Sequence, residues 1–127
     1  MRKLHILLVE NCETQIEFFT NALNESGLGF ICSTAKSMEQ ALRILRNIAP
    51  DAVFIDTHIA LPESITEFKK LKSAQRSAVI YFSVLDKATA NPPAVLEYVQ
   101  LPGNIKAMAR ILKNLFNDHY KYDMANA

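Results

Sequence analysis

Glycine is scarce in this chain, with three residues in 127. None forms a glycine-rich turn after the first apolar run, so a phosphate-cradling loop of the nucleotide-binding kind is excluded. Cysteine is as sparse. Cys12 and Cys32 stand far apart with no C-x-x-C pair, which points to a reducing compartment rather than a disulfide framework. Cys32 lies in the apolar run GFICST and is expected to be a small buried residue. Excess charge is lacking too: the formal net charge is +1, leaving no electrostatic footprint for nucleic acid or an acidic surface. No apolar run approaches the roughly 20 residues a membrane span requires, and the N-terminus does not read as a signal. A cytoplasmic protein without a membrane partner is therefore expected. His5 and His119 lack partners at metal-ligand spacing, and no zinc site is expected. Internal repeats and low-complexity segments are absent.

What is present is an ordinary globular composition, 50% apolar and 21% charged. It suits one domain over residues 1–127, with a core over about 3–116 and a polar, frayed tail from 117. Residues 5–9, 52–56 and 78–83 are short apolar runs rich in Ile, Val and Phe, the pattern of parallel strands buried on both faces. Two further strands are expected at 30–34 and 95–99.

Between them the apolar period becomes helical. Ile16, Phe19 and Leu23 mark a helix over 13–24, closed by Gly27. Ser37 and Gln40 form a capping box for a helix with Met38, Leu42, Leu45 and Ile48 on its inner face and Pro50 closing it. Ser64 and Glu67 open a third helix, with Ile65, Phe68 and Leu71 facing inward. Its run of Lys69, Lys70 and Lys72 is a solvated face. Pro92 and Pro93 reduce the stretch between Val84 and Ala94 to a loop or a stunted helix. Asn104 caps a last helix whose inner face is Ile105, Met108, Ile111, Leu112 and Leu115. The alternation predicts an α/β fold, a doubly wound five-stranded parallel sheet with a shortened or irregular fourth helix.

Three of the expected strands stop on polar groups: Glu10 and Asn11, then Asp56, then Ser83. In a doubly wound sheet, ligands gather beyond the carboxyl ends of the strands. Read from the residues alone, Glu10, Asp56 and Ser83 can converge in one cleft or be polar strand ends, and Tyr98 is a partly buried core aromatic.

The order and spacing of these residues resemble the receiver domain of two-component response regulators, of the chemotaxis-regulator kind, from Lys3 to about Phe116. The resemblance places Glu10-Asn11 at the acidic pair, Asp56 at the phosphoacceptor, Ser83 at the switch hydroxyl and Tyr98 at the switch aromatic. It implies weak or absent Mg²⁺ held by Glu10, Asn11, Asp56 and the backbone carbonyl of His58, whose imidazole is expected to face solvent. Two residues depart from the family pattern. Asn11 replaces a metal-ligating acid, which removes a charge from a hard-ion site. Leu101, before Pro102, replaces the lysine that contacts the phosphoryl group, which removes a cationic donor. Since an acid and a lysine are lost together, Glu10 and Asp56 keep the formal charge of the family pocket. The turn into the third helix also differs, with Pro62 displaced and Ser64 in place of glycine.

The resemblance implies a non-enzymatic signalling domain that docks to a sensor histidine kinase or another signalling protein, with a homodimer possible. The departures favour a second reading, a phosphorylation-independent pseudo-receiver. A phosphatase of the haloacid dehalogenase type ranks last, because Asp56-Thr57-His58 offers histidine where that chemistry needs a second aspartate.

Overall fold

The computed structural model describes residues 3–59, 70, 78–84 and 97–125; for Ala78, Tyr81, Ser83, Val84, Glu97, Tyr98 and all residues after Asn117 it describes the backbone alone. Five parallel strands form one sheet in the order β2-β1-β3-β4-β5. They are β1 (Leu4–Val9), β2 (Phe30–Ala35), β3 (Ala52–Asp56), β4 (Ala78–Val84) and β5 (Glu97–Leu101). The helices are α1 (Glu13–Ser26), α2 (Met38–Leu45) and α3 (Ile105–Ala125).

β1 and β3 are apolar on both faces because both faces are covered. Ile6, Leu8, Ala52 and Phe54 point to one layer; Leu7, Val9, Val53 and Ile55 point to the other, and all are fully buried. On the first side, α1 and α3 pack Phe19, Leu23, Met108, Leu112 and Phe116 against the sheet. Phe54 is the hub there, with ring centroids 5.1 Å from Phe19 and 5.9 Å from Phe116. On the second side, α2 contributes Met38, Ala41, Leu42 and Leu45.

The helix ends follow local chemistry. Gly27 takes the left-handed conformation, φ 78°, and its N–H donates to Asn24 O, closing α1. The Ser37 hydroxyl accepts from Gln40 N at 3.1 Å. Gln40 returns the bond to Lys36 N at 2.7 Å, one residue outside the predicted box. Asn104 Oδ1 accepts from Ala107 N at 3.0 Å and opens α3.

Two boundaries differ from the sequence reading. α2 ends at Leu45 rather than near Pro50, so Ile48 lies past it, half-buried. Asn47 N turns back to Ile44 O, tightening the last turn, and Asp51 N already bonds His5 O as the chain re-enters the sheet. The residues between are used for that return. The C-terminal segment is helical through Ala125 rather than frayed from 117. No glycine or proline interrupts residues 104–125, and backbone hydrogen bonding does not require apolar side chains. The expected third helix lies outside the described residues except Lys70, which is helical and exposed. The region expected to be a loop or stunted fourth helix, and the first two residues of the expected strand at 95–99, lie outside them as well.

Candidate functional site

The chain runs from β1 outward to β2 on one side and then crosses to β3 on the other. The segments leaving β1 and β3 therefore diverge and open a crevice between them. Val9 and Ile55 are register partners, so Glu10 and Asp56, the next residues, stand level at the carboxyl end of the sheet. Asp56 is also level with Phe82 on β4, which brings the backbone of Ser83 to the crevice edge.

Glu10 is buried, with 1% of its surface exposed. Its Oε1 accepts from the N–H groups of Asn11 and Cys12, at 3.0 and 3.2 Å, where α1 begins. Its Oε2 is buried and meets no donor. The Asp56 side chain lies within hydrogen-bonding reach of Glu10, so a proton or cation shared by the two would offset their charges. Burial, then the Asp56 contact and its negative charge, push the Glu10 carboxyl up to about 8, against the pull of the two backbone donors. Burial also pushes Asp56 upward. The contact from Glu10 and the N–H, ring and charge of His58 outweigh it and hold Asp56 below the usual carboxylate range. Glu10 is thus held toward its protonated form at neutral pH, while Asp56 is held toward its ionised form.

His58 does not point away from the cleft. Its backbone N–H donates to Asp56 Oδ1 at 2.8 Å and its Nδ1 lies 2.9 Å from the same oxygen. The ring nonetheless stays about half exposed, at 47%. An ionised Asp56 only accepts, so Nδ1 carries the hydrogen. The backbone half of this arrangement is an Asx turn, a motif that Asp favours two residues before its donor. That spacing was a usable sign in the sequence; the direction of the ring was not.

The other expected site residues separate. Asn11 is exposed at the rim. Leu101 is fully buried among the core residues facing α1 and α3, so its side chain belongs to the interior. Ser83 and Tyr98 lie on β4 and β5 opposite Gln100 and Tyr81, and their side chains are outside the description. Cys32 is half-buried, and burial pushes its thiol up to about 11, which makes it inert at neutral pH. Among the described residues no group of three or more His, Cys, Asp or Glu is arranged to hold a metal ion. The residues still fit a hard cation in reduced form: Glu10 has a buried oxygen without a donor, the Asp56 carboxyl is its close neighbour, and the third expected side-chain ligand is a neutral amide.

No family model matches the chain, and no curated protein matches it. Solved structures do. A response regulator in red-light signaling of R. palustris superposes with a TM-score of 0.73 at 13% identity, over 90% of this chain and 92% of its own. The phosphorylated cyanobacterial phytochrome response regulator RcpA gives 0.72 at 20% identity, over 91% and 93%. The receiver domain of a sensor histidine kinase from Pseudomonas aeruginosa, with magnesium coordinated in its active site cleft, gives 0.65 at 17% identity, over 89% and 97%. The chain thus has the flavodoxin-like fold of response-regulator receiver domains. Among the described residues, no helix is long and apolar enough to cross a membrane.

Proposed function

We propose that this chain is a two-component receiver domain with a weakened metal and phosphoryl site, working by docking to a sensor histidine kinase or another signalling protein rather than by turnover. The observation that carries the reading is the Glu10–Asp56 pair at the switch point of the sheet, with one buried oxygen left without a donor. That is the arrangement a cation-assisted phosphoacceptor needs, since moving a phosphoryl group to a carboxylate depends on positioning and on neutralising charge. Asp56 is the acceptor in this reading. Glu10, Asn11 and the His58 carbonyl hold a loosely bound Mg²⁺, and Ser83 and Tyr98 transmit the change. The domain spans 1–127 and is cytoplasmic, with a homodimer as one docking outcome.

A second reading, a pseudo-receiver that needs no phosphate, is favoured by Leu101, whose core position removes the phosphoryl-binding cation altogether. Labelling with acetyl phosphate and Mg²⁺ separates the two. The receiver reading expects slight labelling of the wild type, more in Asn11→Asp, and none in Asp56→Asn. Asn11→Asp that binds Mg²⁺ yet stays unlabelled gives the case to the pseudo-receiver.

A further inference from the structure

Each carboxylate oxygen accepts two hydrogen bonds at most in the plane of its lone pairs. Around the cleft two oxygens already have both places taken. Glu10 Oε1 is filled by two backbone donors, Asn11 N and Cys12 N. Asp56 Oδ1 is filled by two donors from a single residue, His58 N and His58 Nδ1. Of the remaining oxygens, Glu10 Oε2 is buried and meets no donor. A cation held by these two carboxylates would have to compete with the imidazole for Asp56 Oδ1.

We infer that the His58 imidazole is a built-in competitor for Asp56 Oδ1, a positioning residue that holds the acceptor carboxylate in a closed, cation-poor arrangement. This rests on the receiver reading of Asp56 only in naming the cation as Mg²⁺. The ring sits at the cleft mouth, half exposed, on the turn directly after β3. It can leave by a side-chain rotation without disturbing the core, and Oδ1 then opens. The backbone N–H stays on Oδ1 when the ring leaves, so the Asx turn does not depend on the imidazole.

The test is a Mg²⁺ titration of the full chain followed by ¹⁵N–¹H spectra, for wild type, His58→Ala and Glu10→Gln/His58→Ala. Losing one hydrogen bond that competes with the ion is expected to lower the midpoint in His58→Ala by about three- to tenfold. The double variant, which replaces the orphaned oxygen with an amide donor, is expected to lose that gain. An unchanged or higher midpoint in His58→Ala overturns the inference, the latter because it makes the ring a ligand. No Mg²⁺ response in either chain overturns it as well, and so does a gain that persists in the double variant. Acetyl-phosphate labelling of His58→Ala distinguishes this from failure of the receiver reading. Tighter Mg²⁺ binding without labelling leaves the competitor in place and sinks the acceptor role.

Discussion

Glu10 and Asp56 leave adjacent strands level with each other, each directly after a register pair, Val9 and Ile55. Their backbones run parallel into one crevice, and their carboxyls come within reach across it. Two acids held this close in a largely dry pocket do not both ionise freely. The pH dependence of the chain follows from that coupling.

Stability should fall as pH rises through the neutral range. Folded Glu10 holds its proton up to about 8, whereas the unfolded chain releases it near 4.5. Between those values the native state binds more protons, so the contribution is complete below 4.5 and is lost as pH rises through 8. Asp56, held low, acts at the acid end with the opposite sign: its contribution is present above the usual aspartate range and is lost as pH falls. Glu10→Gln supplies a permanent donor toward Asp56 while its oxygen keeps the Asn11 and Cys12 bonds. In urea melts with chelator it should match wild type near pH 5 and exceed it near pH 8 by about 2 kcal/mol.

Restoring the missing lysine should not repair the site. Leu101 is fully buried in the layer shared with Phe82 and Met108, so Leu101→Lys places an ammonium where a methyl group packs. Denaturant melts should show a loss of about 3 kcal/mol or more, whereas Leu101→Met should cost under about 1.5 kcal/mol. A Lys variant as stable as wild type means that the side chain at this position escapes to the cleft.

The Phe54 ring joins α1, α3 and the middle of the sheet through its contacts with Phe19, Phe82 and Phe116. Phe54→Ala should cost about 3–5 kcal/mol, measured as a lower denaturation midpoint with an unchanged slope.

Ser37→Ala removes the acceptor for Gln40 N at the start of α2. The expected loss is about 1 kcal/mol, a shift in denaturation midpoint with little effect on the cleft, since α2 lies outside it.

The sheet was legible because β1 and β3 are covered on both sides and read as unbroken apolar runs. Glu10 and Asp56 were legible because each is the first polar residue after such a run. Leu101 was misleading for a related reason. Its place before Pro102 suggested the site, yet it shares strand parity with Val99, and both face the core. Alternation along β5 decides its direction, and motif position does not. The end of α2 is hidden because the apolar spacing continues to Ile48, while the chain turns at Arg46 and Asn47 and rejoins the sheet at Asp51. The helical tail is hidden because polar side chains read as a frayed end, whereas the backbone bonds of the helix do not depend on them. The ring of His58 turns on a side-chain rotation, and spacing carries no record of it.

The most direct measurement is a carboxyl titration by ¹³C NMR of Glu10 in wild type and in Asp56→Asn, without metal. A shared crevice is expected to give Glu10 an apparent pKa well above the usual glutamate range, falling when the charge of Asp56 is removed. A Glu10 that titrates near 4.5 in both proteins would contradict the account, since the two carboxyls would then not share a pocket.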